Sequence, residues 1–179
     1  MSKKKELLLS KVLELFATKG YQSTSMADIC KAANVSKGLI YHHFKSKEAI
    51  LIEVFTAETK KMTDMTIDAT RDPKAQLSEL IHNIFSSLAR NKKRFQFNVN
   101  VMFQPATRQI LEKQIKERAS ILFQQTKTIF DNISLESSTV LSYMFIAEID
   151  GIVLNYLASF DNYPIKAVKA NLLAKYEAL

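Results

Sequence analysis

Apolar residues recur at helical spacing along almost the whole chain. Leu8, Val12, Leu15 and Phe16 share one face of a segment over 6–18, with Lys and Glu between them. Gly20 reads as its stop. Ser25 through Asp28 has the S-x-x-D spacing of a capping box and predicts a short helix to about Ala33. Asn34-Val35 makes a turn, and Ser36 caps a third short helix to about Phe44. Ser46 then caps a long helix to about Thr70, with Glu48 suiting the dipole of its first turn and Phe55, Met62 and Met65 farther along. Asp72-Pro73 starts a helix to about Ala89, with Leu77, Leu80, Ile81, Ile84, Phe85 and Leu88 on one side. Residues 107–131 read as one amphipathic helix, and 137–160 as another that is apolar almost all round. Pro164 opens a last helix with Val168, Leu172 and Leu173 as its stripe.

One segment breaks the pattern. Phe95-Gln96-Phe97-Asn98-Val99-Asn100-Val101 alternates strictly, which locally favours a strand. A lone strand in a helical chain leaves its backbone groups unpaired, so we read a short helix here, with a two-stranded ribbon across a dimer as the alternative. The expected fold is all-α, with about nine helices.

Composition narrows the picture. Of 179 residues 47 % are apolar, enough for a sizeable core. No run of eighteen apolar residues occurs, so no membrane span is expected. The basic start Lys3-Lys4-Lys5 and Leu7-Leu8-Leu9 suggest a leader, but Lys11 and Glu14 interrupt the apolar run, and a cytoplasmic protein is expected. Three glycines, far apart, exclude a Gly-rich phosphate loop, and the single Cys30 reads as a small buried hydrophobe. The net charge of +7 is uneven. Residues 1–47 carry nine lysines against three acidic residues, while the remaining 132 are nearly balanced, with 16 basic and 15 acidic. A basic head on a neutral body suits a polyanion partner, although a basic tail that merely aids solubility gives the same totals.

Residues 25–44 thus form helix, turn and helix inside the charged quarter. Met26, Ile29, Ala33, Val35, Leu39, Ile40 and Phe44 can build a small core with helix 6–18. Lys37, Tyr41 and His42 would then be exposed on the second helix, the layout of a recognition helix in a major groove. Tyr41 as a core residue is the alternative. The neighbouring His42 and His43 point about 100° apart on a helix and do not suit one metal ion, so no metal and no cofactor is expected.

These residues closely resemble the TetR family of regulators. The resemblance runs through Leu13-Glu14-Leu15-Phe16-Ala17-Thr18-Lys19-Gly20-Tyr21, Thr24-Ser25-Met26-Ala27-Asp28-Ile29, Ala33-Asn34-Val35-Ser36-Lys37-Gly38 and Tyr41-His42-His43-Phe44-Lys45-Ser46-Lys47-Glu48. It covers about residues 6–55. It implies a helix-turn-helix DNA-binding domain over 1–47 and a helical regulatory and dimerisation domain over 48–179. It also implies roles in binding a double-stranded DNA operator. Thr24 or Ser25 would meet a backbone phosphate, and Ser36, Lys37 and Gly38 would meet DNA at the start of the recognition helix. Tyr41 and His42 would reach phosphate or base edges, His43 a phosphate, and Lys47 would anchor the strand from the fourth helix. His42 stands where the family often has an aromatic residue.

For the body, helix 137–160 needs cover on all sides, which points to a homodimer through 137–160 and 164–177. The resemblance implies a small-molecule effector among the middle helices. Phe85, Phe97, Met102, Phe103, Phe123 and Phe145 are candidates to line its pocket, or are plain core. Glu148 either contacts the ligand or is a carboxylate answered within the protein or across the dimer. An effector wedged between helix 46–70 and helices 73–89 and 107–131 would move the head. The expected function is a repressor released by a small molecule. The alternative is a DNA-binding protein of the same fold controlled by a protein partner or acting architecturally. No nucleophile–base pair, carboxylate pair or ligand cluster at useful spacing points to an enzyme.

Overall fold

The computed structural model describes residues 3–64, 68 and 70–179. Among these residues every regular element is a helix: ten α-helices and one π-helical turn. They are α1 (Lys3–Lys19), α2 (Met26–Ala33), α3 (Lys37–His43), α4 (Lys47–Thr63), α5 (Pro73–Arg90), α6 (Lys92–Phe103), α7 (Pro105–Ile110), α8 (Glu112–Asp131), α9 (Ser138–Leu154) with the π turn Asn155–Ser159, and α10 (Ile165–Glu177). The chain divides into two compact units, residues 1–62 with 93–118 and residues 63–92 with 119–179.

The first unit is built on the stripe Leu8, Leu9, Val12, Leu13, Phe16 and Ala17 of α1. These residues are buried with Ile29, Ile40, Phe44, Ile50, Leu51 and Phe55. Phe97, Val101 and Leu111 join the same core. Each of these side chains larger than alanine contributes about 1.5–3 kcal/mol by leaving water. Phe16 holds the cluster together, edge-on to Tyr21 at 5.4 Å and stacked on Phe97 at 6.4 Å. The second unit packs α10 against α5 over Leu77, Ile81, Phe85, Phe130, Phe145, Leu172 and Tyr176. Phe130, Phe145 and Tyr176 form a ring triangle with centroids 5.3–6.1 Å apart.

One expected short helix is present and three other helices depart from their expected bounds. The segment 95–101 is helical, within α6. Its strand-like alternation arises because two polar positions serve tertiary contacts: Asn100 Nδ2 donates to the Ala17 carbonyl at 3.1 Å, and Asn98 Oδ1 accepts from Arg118 at 2.6 Å. α4 ends at Thr63 rather than near residue 70, and Met65 lies outside the described residues. Residues 107–131 form two helices, because the chain breaks at the fully buried Leu111, whose φ of −103° and ψ of 11° leave the helical region. The apolar helix 137–160 is α-helical only to Leu154 and closes in a π turn.

Candidate nucleic-acid interface

The head is held by short polar devices. Ser25 caps α2: its Oγ accepts from the Asp28 N–H at 3.1 Å, while the Ser25 N–H donates to Asp28 Oδ2 at 2.8 Å. Lys19 Nζ reaches the same carboxylate at 2.6 Å. The Lys19 ammonium, then the Ser25 N–H and hydroxyl, hold the Asp28 carboxyl well below the usual carboxylate range. Asn34, left-handed at φ 53°, ends α2 and donates its N–H to the Cys30 and Lys31 carbonyls. Ser36 then caps α3 by accepting from the Leu39 N–H at 3.2 Å. Ile40, on α3, and Phe44, just past its end, point into the core.

These anchors decide which way α3 faces. With Ile40 inward, Lys37, Gly38, Leu39, Tyr41, His42 and His43 are all exposed. A β-carbon added at Gly38 would meet nothing within 4 Å, so its backbone is open to close approach. Lys37 Nζ lies 5.8 Å from the centre of the Tyr41 ring. Of the expected contact residues, Lys37, Gly38, Tyr41, His42 and His43 thus share one outward surface, with the capping Ser36 at its edge. Tyr41 is not a core residue.

Two expected contacts are placed differently. Thr24 is 1 % exposed, with its hydroxyl donating to the Gly20 carbonyl at 2.6 Å. Its side chain is turned away from any phosphate, and Ser25 is the member of that pair at the surface. Lys47 does not project outward either. Its ammonium donates to the carbonyls of Thr24 at 2.8 Å, Tyr21 at 3.0 Å and Gln22 at 3.4 Å. Leu39, assigned to the core by its apolar character, is 45 % exposed. The signal was in the spacing: Ile40 and Phe44 at i and i+4 set the inward direction, and Leu39 lies about 100° away from Ile40.

The residues expected around an effector fall in different units. In the first, Phe97 is core, while Met102 and Phe103 are exposed. In the second, Phe85 and Phe145 are core, and Phe123 packs on Tyr143 with ring centres 4.6 Å apart. Glu148 is answered within its own unit by Lys175 and by the Tyr176 hydroxyl, which donates at 2.7 Å. A cleft of about 530 Å³ in the second unit is lined by Arg71, Lys74, Ser78, Glu79, His82 and Glu177, none of them among the expected aromatics.

A helix-turn-helix whose second helix presents only its outward face, in a basic head, defines the class of helix-turn-helix proteins. Residues 8–54 match the family model described as bacterial regulatory proteins, tetR family. The N-terminal region of the chain is thus similar to that of the tetR family of bacterial regulatory proteins. The chain is 31 % identical over 103 residues to the HTH-type transcriptional regulator YhgD of Bacillus subtilis, covering 58 % of this chain and 53 % of YhgD. The match thus spans about half of that relative's length. The fold is similar to that of the fatty acid degradation regulator FadR of Bacillus halodurans, with a TM-score of 0.84 and 20 % identity over 98 % of this chain and 95 % of that one. It is also similar to the transcriptional regulator FadR of Bacillus subtilis in complex with stearoyl-CoA, with a TM-score of 0.77 and 23 % identity over 96 % and 97 % of the two chains.

Proposed function

We propose that this protein is a cytoplasmic transcriptional regulator that binds an operator in double-stranded DNA as a homodimer and is released from it by a small molecule. The observation that carries the reading is the exposed face of α3. Lys37, Gly38, Tyr41, His42 and His43 stand outward together on a helix locked by Ser36 and Ile40. Basic groups on such a face meet phosphates, and its exposed backbone and side chains can reach base edges. The lysine surplus of residues 1–47 adds sequence-independent attraction.

Dimerisation is supported by α9. Val140, Tyr143 and Met144, at i, i+3 and i+4, are all exposed. Ser138–Ser159 is long and apolar enough to cross a membrane by length and composition, yet only 17 % of its most apolar stretch is buried within the chain. It carries Glu148 and Asp150 mid-helix, which suits a second copy better than lipid. The effector is supported by the fold likeness to FadR in complex with stearoyl-CoA. The internal pairing of Glu148 with Lys175 and Tyr176 favours the second reading, control by a protein partner.

Selection of bound duplexes from random DNA, followed by release assays with small molecules, tests both parts. Enrichment of a two-fold symmetric sequence is expected. No enrichment removes the DNA-binding reading, and enrichment without release by any molecule favours the second.

A further inference from the structure

Leu39 is the one aliphatic side chain exposed on α3, with nearly half of its surface, 45 %, left open to solvent. Measured from the inward Ile40, a helix turning about 100° per residue sends Gly38 and His42 directly outward, with Leu39 and Tyr41 on opposite shoulders. His42 and His43 flank Leu39 on its side of the helix and Lys37 and Tyr41 share the other, groups suited to phosphates and polar base edges. A leucine has neither donor nor acceptor. In a major groove the one apolar group a base edge presents is the thymine methyl. Phosphate contacts place a protein without reading sequence, so the choice of bases falls to groups such as this one.

We infer that Leu39 is a specificity-determining residue that packs against thymine methyl groups in the major groove. The inference rests on the DNA-binding reading and adds the base chemistry that the site selects. The exposed part of Leu39 loses water only when DNA is bound, so that part of its contribution belongs to the complex and not to the fold.

The test alters the DNA rather than the protein. Duplexes are first selected with the full chain from random sequence. Each thymine of the selected site is then replaced singly by deoxyuridine, which removes the methyl and keeps the pairing. One or two positions per half-site should lose about fourfold in affinity, the worth of one methyl group taken from water. Leu39→Ala and Leu39→Asn should bind more weakly overall, should melt at the same temperature as the parent, and should show no uridine penalty at those positions. A selected site without thymine opposite α3, unchanged affinity on every uridine duplex, or a penalty that persists in Leu39→Ala would each overturn the inference while leaving DNA binding intact. Failure to select any duplex would overturn the DNA-binding reading and this inference with it.

Discussion

Lys47 Nζ donates to the Tyr21 carbonyl at 3.0 Å and lies 4.4 Å from the centre of the Tyr21 ring. With the Gln22 and Thr24 carbonyls it has three acceptors for its three donors. The first turn of α4 is thereby tied to the loop that precedes α2. The ammonium expected to hold a DNA strand is bonded here within the head.

Lys47→Ala should therefore destabilise the protein, by about 1.5–3 kcal/mol, the usual worth of hydrogen bonds from a charged donor. Operator affinity should fall through the loss of folded head, with an unchanged salt slope. Thermal melting and DNA titration at several salt concentrations check this. An unchanged melting temperature with a slope reduced by about one would mean that the ammonium leaves its carbonyls for a phosphate.

Lys37 gives the opposite expectation. It is exposed at the start of α3 and contributes charge, not packing. Lys37→Ala should leave the melting temperature in place and lower the slope of log K against log salt by about 0.9, one phosphate contact. A salt slope equal to the parent's would take Lys37 off the interface.

The buried Glu58 and the partly buried Arg94 join α4 to α6 within the first unit. Arg94 Nε lies 2.6 Å from Glu58 Oε2, close enough for an ion pair although its N–H is not aligned on that oxygen. Lys61 adds a hydrogen bond to Oε1 at 2.9 Å. Arg94→Ala should cost about 3–5 kcal/mol by leaving a buried carboxylate with half its compensation. Replacing both residues by leucine should cost far less, because the desolvation of both charges is then avoided. Denaturant unfolding of the single and double variants decides the point.

Glu148 and Tyr176 make the second unit sensitive at both ends of the pH scale. Burial works to raise the Glu148 carboxyl, but hydrogen bonds from Lys175 and Tyr176 and the Lys175 charge outweigh it and hold it below its ordinary 4.5. A group lowered in this way stabilises above its unfolded value, and the contribution drains away as pH falls through about 4.5 and below. Burial, then the hydrogen bond to Glu148 and its charge, raise the Tyr176 phenol above its ordinary 10.0. That contribution is complete below about pH 10 and is lost above it. Melting curves from about pH 3 to about pH 11 should show both limbs. Glu148→Gln should shrink the acid limb, leaving the share of other lowered carboxyls such as Asp28 and Asp131, and should weaken the alkaline one.

The exposed face of α9 predicts a particle of about twice 20.4 kDa in light scattering at micromolar concentration. Val140→Glu and Met144→Glu place charges on that face without touching the core, so each should yield folded monomers with unchanged helical circular dichroism. Monomers already present in the parent protein would remove the dimer from the proposed function.

The sequence by itself determined the helical class, the helix-turn-helix and its capping residues. Those features are local: Ser25, Asp28 and Ser36 act within three residues of where they stand, and Ile40 with Phe44 marks the buried side of α3 through spacing alone. Tertiary structure decided what long-range partners decide. Asn98 and Asn100 read as the polar half of a strand until Arg118 and the Ala17 carbonyl supplied their partners. The break at Leu111 follows from a leucine buried among α1 and α4 residues, which no window around 111 contains. Thr24, Lys47 and Glu148 carry groups as able to meet a ligand as to meet the protein. Only the placement of the Gly20 and Tyr21 carbonyls, and of Lys175 and Tyr176, turned them inward. Leu39 went the other way, because hydrophobicity predicts burial on average, while the phase of a seven-residue helix decides it for each side chain.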